Sequence, residues 1–180
     1  MQHRIFLVPP SGDADRGRRH WEHRHGDLFV RTPGLLGYRQ NRPVAEQWAR
    51  GTARFCSETW FADRESERRA YASAYYRDVV TPDEAVFLVR DQAWTAAVLE
   101  GPESALQPPD GGAAVLWFDE SPPRGMSWDS WELAVPVPPP GRGKRLYTTV
   151  VADVGRALTL GADAGPVALV VRPRDYPTTG

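Results

Sequence analysis

The stretch that decides the fold is ADRGRRHWEHRHGDLFVR, residues 14–31. Asp13 or Asp15 can cap the start of a helix there, and Thr32-Pro33-Gly34 ends it. Within the stretch, three apolar residues and one histidine recur at helical spacing: Trp21, His25, Leu28 and Phe29. The sequence therefore predicts an amphipathic helix whose apolar face carries a side chain able to exchange protons near neutral pH.

Short apolar or alternating runs around this helix predict four strands, over residues 3–8, 35–41, 53–62 and 93–99. A second helix is predicted over residues 64–80. Alternation in the third strand predicts that Ser57 and Thr59 share one face and that Glu58 lies on the other. The order β-α-β-β-α-β predicts an α+β fold, a ferredoxin-like antiparallel sheet with both helices on one side.

The rest of the chain is richer in strands and proline. We predict one domain over residues 1–100, a Pro/Gly-rich linker over 101–112, and a C-terminal part over 113–180. That last part is either a β-rich extension that covers a sheet edge or a degenerate second copy of the first fold. Both interpretations stay open.

Composition excludes several classes of function. The 180-residue chain has 22 basic and 23 acidic residues without a basic stripe, so nucleic acid is not an expected partner. No apolar run reaches the roughly 20 residues of a membrane span, and the start lacks a signal-peptide pattern, so we expect a cytoplasmic protein. There is one cysteine and no zinc-binding or phosphate-loop spacing, so we expect neither metal nor cofactor.

Four motifs follow one another in the first hundred residues: Trp21-x-x-x-His25, Pro33-Gly34-Leu35-x-x-Tyr38-x-x-Asn41, Glu58-x-Trp60-Phe61 and Pro82-Asp83-Glu84-x-x-Phe87. Their order and spacing resemble the EthD-like branch of the dimeric α+β barrel superfamily. The resemblance implies a sheet that pairs with a second sheet, in a homodimer or a pseudo-dimeric monomer. It also implies a cavity between each sheet and its own helices.

The resemblance places His25 near that cavity, together with Tyr38. A neutral imidazole can take a proton from an acidic C–H or O–H group, and a tyrosine hydroxyl can polarise a substrate oxygen. The other predicted substrate-binding residues are Trp21, Phe29, Asn41, Trp60 and Phe87. Since Tyr38 and Asn41 are three residues apart on a strand, only one of them can line the cavity unless the strand bulges.

The other polar residues near these motifs receive structural interpretations. His20 and His23 are predicted to point away from His25, because regular helical geometry separates them. Asp83-Glu84 is predicted to be a helix cap and a surface charge pair.

These features predict a cofactor-independent enzyme of secondary metabolism, such as antibiotic biosynthesis. It would be a cyclase, isomerase or lyase that acts by acid/base chemistry on a polyketide-like or aromatic small molecule. Three alternatives stay open: a cofactor-free monooxygenase of a phenolic substrate, a pericyclic cyclase acting by cavity shape, and a non-catalytic small-molecule or haem-binding protein. Since the superfamily hosts many reactions, the fold does not choose among them.

Overall fold

The computed structural model describes residues 1–51, 53–100, 108, 112–119, 121–122, 124, 127–135, 143–163 and 168–178. Almost all of the predicted linker, 101–112, lies outside these residues. The chain forms two compact units. The first consists of Met1–Arg42, Arg54–Thr95 and Arg174–Gly180, and the second of Pro43–Ala53 and Ala96–Pro173.

The elements follow one another as β1 (Gln2–Val8), α1 (Ala14–His20, Trp21–His25 and Gly26–Phe29), β2 (Leu35–Pro43), α2 (Ala45–Ala49), β3 (Phe55–Phe61), α3 (Arg64–Tyr71), α4 (Tyr76–Val80 and Thr81–Glu84), a 3₁₀ turn (Arg90–Gln92), β4 (Trp94–Glu100), β5 (Ala113–Phe118), β6 (Asp129–Leu133), β7 (Arg145–Val151), α5 (Val154–Asp163) and β8 (Ala168–Tyr176). The fold is mixed α+β, and the strand pairings described below are antiparallel.

In the first unit, β3 pairs with β1 on one side and with β2 on the other. Tyr38 lies opposite Thr59, and His3 lies opposite Trp60. The alternation predicted for β3 is present, because Phe55, Ser57 and Thr59 line a cavity on one face of this sheet. The opposite face of the sheet carries polar side chains, among them His3, Asn41 and Glu58.

Helix α1 begins where the sequence predicts, and Asp13 caps it by accepting a hydrogen bond from the backbone N–H of Arg16 at 3.0 Å. Its middle segment, Trp21–His25, is a π-helical turn. The wider turn brings residues five positions apart onto one side of the helix, which a regular α-helix would not do. Gly26 follows directly, and a Cβ there would overlap the Tyr176 ring, so the close approach of that ring requires glycine.

The second predicted helix, residues 64–80, is two helices instead of one. Asp63 caps α3 by accepting from the N–H of Ser66 at 2.7 Å, and α3 ends at Tyr71. The hydroxyl of Ser73 then accepts a hydrogen bond from the N–H of Tyr76 at 3.1 Å. This side-chain acceptor satisfies a backbone group at the beginning of α4, which accounts for the break.

The second unit contains an antiparallel set of strands in the order β8-β5-β7-β6-β4. Its apolar core joins these strands to α2 and α5 through Val44, Ala113, Val115, Val151, Ala157 and Val170. The predicted four-stranded ferredoxin-like sheet is therefore too simple, because β4 pairs with β6 through Val98 and Leu133. A strand edge needs hydrogen-bond partners, and strands beyond residue 112 supply them here. No helix within the described ranges has the length and apolar character needed to cross a membrane.

Candidate active site

A small cavity of about 60 Å³ lies in the first unit, between the β1-β3-β2 sheet and the helices α1 and α4. Its lining is mostly apolar and aromatic: Phe6, Val8, Trp21, His25, Phe29, Tyr38, Phe55, Ser57, Thr59, Tyr71, Tyr76, Glu84, Phe87 and Leu88. Sites for drug-sized ligands usually enclose about 300 Å³ or more. An apolar cavity of roughly 150 Å³ holds benzene, so this one must widen to admit even a single ring and is far too small for an extended chain of fused rings.

His25 lies on the cavity wall, in the π-helical turn of α1. Its side chain is buried, and its ring centroid is 4.9 Å from that of Phe87 and 5.4 Å from that of Phe29. Its Nδ1 atom is 2.8 Å from Oδ2 of Asp83. Among the residues that the structure describes, none forms a hydrogen bond with Nε2.

Asp83 bridges two histidines. Its Oδ1 lies 2.6 Å from Nε2 of His20, while its Oδ2 contacts His25. Burial works against the charged carboxylate, but the hydrogen bonds from His25 and His20 outweigh it and lower the pKa of Asp83 below its ordinary value. Asp83 is therefore ionised at neutral pH and accepts hydrogen bonds without donating any.

The charge of Asp83 fixes the tautomer of His25. Because the carboxylate only accepts, Nδ1 of His25 must carry a hydrogen and donate it. In the neutral ring, the lone pair is then on Nε2, the nitrogen that can act as a base toward the cavity. Arrangements in which a carboxylate orients a histidine also stabilise the imidazolium that forms when the histidine takes a proton.

Two sequence interpretations change at this point. Asp83 and Glu84 are both buried at 8% exposure, so the prediction of a surface charge pair is wrong. His20 was predicted to be unconnected to His25, yet both histidines bind the same carboxylate across five positions of the helix. The π-helical turn is the physical reason, because it removes the angular offset of a regular helix. His23 is exposed, as predicted.

Tyr38 supplies a neutral hydroxyl on the sheet side of the cavity. Its OH lies 3.3 Å from Oγ of Ser57, and its ring stacks on Phe29 at a centroid distance of 4.5 Å. Burial raises the pKa of Tyr38 far above its ordinary value, so the phenol keeps its proton. A protonated phenol can donate a hydrogen bond to an oxygen that gains negative charge during a reaction.

Glu84 is the second carboxylate on the cavity wall. It accepts hydrogen bonds from the Tyr76 hydroxyl at 2.9 Å and from Nε of Arg90 at 3.0 Å. Burial and the charge of Glu84 raise the pKa of Tyr76, so Tyr76 remains a donor. Since Arg90 pairs with Glu84, this carboxylate is occupied in a structural network, and Asp83 is the one that acts on His25.

Part of this chain matches a known protein family. The EthD domain model matches residues 10–91. This segment is an EthD domain. The resemblance read from the sequence is thereby confirmed, and the domain belongs to the dimeric α+β barrel superfamily. The EthD domain contains the central residues of the candidate site: His25, Tyr38 and Asp83.

Two solved structures align with almost the whole chain. One is a protein of Fusobacterium nucleatum subsp. nucleatum that is provisionally named a monooxygenase, with 10% identity, a TM-score of 0.51, and coverage of 98% of this chain and 97% of that chain. The other, from Lactobacillus acidophilus NCFM, has the same provisional name, 10% identity, a TM-score of 0.47, and coverage of 97% and 90%. The comparison with curated proteins finds no match. At this identity, the first similarity speaks for the fold alone.

Five of the seven predicted site residues line the cavity of the EthD domain: Trp21, His25, Phe29, Tyr38 and Phe87. The other two, Asn41 and Trp60, do not line it. Asn41 donates a hydrogen bond to Oε1 of Glu58 at 2.7 Å, and the Trp60 ring stacks on His3 at 4.5 Å. The alternation of side chains along β2 and β3 puts both on the opposite face of the sheet.

We expect Asp83→Asn to change the tautomer of one of its two histidines. An asparagine side chain offers one acceptor oxygen and one donor group, so it cannot accept from both rings as the carboxylate does. Nitrogen-15 NMR of the histidine rings measures this directly, and we expect the neutral Nδ1–H form of His25 or the neutral Nε2–H form of His20 to be lost. Loss of charge-assisted hydrogen bonds should also lower the free energy of unfolding by about 1–3 kcal/mol.

The matched control is Asp27→Asn, because Asp27 is an exposed carboxylate at the end of α1. It should leave both ring tautomers and the stability unchanged. Unchanged histidine spectra in Asp83→Asn would contradict the bridging arrangement.

Proposed function

We propose that this protein is a cofactor-independent enzyme that transfers a proton on a small aromatic or enolisable substrate, with His25 as the general acid/base. One observation carries the proposal: the bond from Nδ1 of His25 to Asp83 leaves Nε2 as the basic nitrogen of a histidine that lines an apolar cavity. An oriented base with a stabilised conjugate acid is what proton abstraction from a weak carbon or oxygen acid requires.

The reaction can be followed through the groups that carry the charge. A substrate C–H or O–H proton moves to Nε2 of His25, and its electron pair stays on the substrate as an enolate or phenolate. The resulting imidazolium is stabilised by the Asp83 carboxylate. The Tyr38 hydroxyl donates to the oxygen that has gained the negative charge.

The imidazolium then returns the proton to a different atom. Depending on the substrate, return of the proton completes an isomerisation, an elimination or a ring closure, the cyclase, isomerase or lyase chemistry predicted above. Apolar walls favour this route, because a dry site strengthens the interactions of the charged intermediate. The size of the cavity supports a single-ring substrate over an extended polyketide.

A second candidate uses the same first step. The carbanion formed by deprotonation can instead react with molecular oxygen, which would make the protein a cofactor-free monooxygenase of a phenolic substrate. The provisional name of the Fusobacterium nucleatum structural neighbour makes this outcome worth measuring alongside the first. Both candidates need His25, and they differ in whether oxygen is consumed.

The experiment is a hydrogen-exchange assay in deuterated water with a panel of single-ring enolisable ketones and phenols. We expect the protein to accelerate incorporation of deuterium at an acidic position under nitrogen, as followed by proton NMR. Parallel runs with an oxygen electrode identify the monooxygenase candidate by substrate-dependent oxygen uptake. Absence of both exchange and uptake, together with a Soret band after haem titration, would show a haem-binding protein instead.

A further inference from the structure

We infer that Thr59 and Tyr71 form a second polar subsite, which binds an oxygen atom of a single-ring substrate that carries oxygen at both ends. The inference rests on the proposed function only in naming the ligand as the substrate. The subsite itself stands on two hydroxyl groups of the first unit that the proton-transfer chemistry does not use.

The two hydroxyls are buried and unsatisfied. Thr59 is 1% exposed, and neither its Oγ1 nor the Tyr71 OH completes a hydrogen bond with the described residues. The Thr59 side chain contacts the Tyr71 hydroxyl. Burial raises the pKa of Tyr71, and this contact lowers it by a smaller amount. The contact falls short of hydrogen-bond geometry for both atoms. Buried polar atoms without partners are uncommon and cost stability, so such a pair on a cavity wall points to a missing partner.

The other hydroxyls of the cavity have partners. Tyr38 is near Ser57, and the Tyr76 hydroxyl donates to Glu84. Among the hydroxyl groups of this cavity wall, those of Thr59 and Tyr71 are therefore the ones that lack hydrogen-bond partners. A ligand oxygen placed between the two hydroxyls would satisfy both at once, since each hydroxyl can donate or accept.

The position of the pair sets the spacing of the ligand oxygens. Ser57 and Thr59 share the cavity face of β3 two residues apart, which corresponds to about 7 Å along the strand. One oxygen-binding point is thus near Tyr38 and Ser57, and the other is about one ring length away. This spacing fits a ring with oxygens at opposite positions, the chemical class of hydroquinone.

A larger cleft of about 760 Å³ lies in the same unit. The cleft and the inner cavity share two lining residues, Phe6 and Tyr71. Tyr71 therefore lies at the junction between them.

The test compares two ligands of nearly equal shape, hydroquinone and 4-methylphenol, by calorimetry with the full chain. We expect the wild-type protein to bind hydroquinone about tenfold more tightly, because only hydroquinone supplies the second oxygen. The double substitution Thr59→Val with Tyr71→Phe should abolish this preference. It should not lower the urea midpoint, because it removes two buried groups that lack partners. The matched control, Thr149→Val in β7, should retain the preference.

Two results would overturn the inference: equal binding of the two ligands by the wild type, or a preference that survives in the double variant. Should the double variant fail to fold, Tyr71→Phe alone must still reduce the preference severalfold. The proposed function is tested separately, because binding is measured without turnover. A His25→Gln variant that keeps the hydroquinone preference while the wild type shows no exchange activity would leave the subsite intact and refute the catalytic proposal.

Discussion

Replacing His25 by glutamine should lower kcat for the exchange reaction by about 10²–10⁴-fold, the usual contribution of a positioned general acid/base. Glutamine has similar length and its amide N–H can still donate to Asp83, but it cannot take up a proton near neutral pH. The buried imidazole contacts Asp83 through Nδ1, and its loss removes both the base and the stabilised cation. The measurement is the initial rate of deuterium incorporation at saturating substrate.

His23→Gln is the matched control for this experiment. His23 lies two residues before His25 in the same π-helical turn, but it is exposed. The control should retain full activity, which separates the chemistry of one histidine from the general effect of replacing a histidine in this turn. Wild-type rates in a folded His25→Gln protein would refute the assignment and would favour a cyclase that acts by cavity shape.

The place of His25 on the apolar face of its helix was predictable because that signal is local, whereas its place near the cavity came from the family resemblance. Residues 14–31 have helical periodicity with Trp21 and Phe29 on the same face, and that face packs where an amphipathic helix must, against the sheet. The strand pattern was equally local, since alternation alone placed Ser57 and Thr59 together. Both features depend on spacings of a few residues, which a single sequence displays directly.

The role of Asp83 could not be predicted from the sequence, because it depends on contacts with residues that are distant along the chain. Pro82-Asp83-Glu84 has the composition of a helix start, and that local interpretation is complete without any partner. The histidine that Asp83 orients is 58 residues away in sequence. The π-helical turn that adds His20 leaves no mark in the hydrophobic pattern, so regular helical geometry separated two residues that the fold brings together.

The opposite face of the β1-β3-β2 sheet holds a buried ionic cluster that the sequence also did not reveal. The Glu58 carboxylate accepts hydrogen bonds from Nε2 of His3 at 2.8 Å and from Nδ2 of Asn41 at 2.7 Å, and Arg39 lies 3.8 Å away. Burial disfavours the charge of Glu58, but the hydrogen bond and charge of His3, followed by Arg39, outweigh it and lower the pKa of Glu58.

Removing that charge should have the largest effect on stability in this unit. We expect Glu58→Gln to lower the free energy of unfolding by about 3–5 kcal/mol, the range found when one partner of a buried ion pair is removed. Arg39 would keep its ion pair with Asp175 and its contact with the Trp60 ring but lose the Glu58 charge, and the His3 ring would lose its carboxylate partner. Urea unfolding followed by tryptophan fluorescence measures the change.

The effect should depend on pH in one direction. Because the folded pKa of Glu58 is depressed, its contribution is fully present above the unfolded value of about 4.3 and is lost as pH falls from there through the folded pKa. The stability gap between wild type and Glu58→Gln should therefore be widest near neutral pH and narrow in acid. Glu65→Gln, at an exposed carboxylate paired with Arg68 on α3, is the matched control and should change stability little at either pH. A gap that stays constant from neutral pH to acid would mean that the buried charge of Glu58 does not stabilise the sheet.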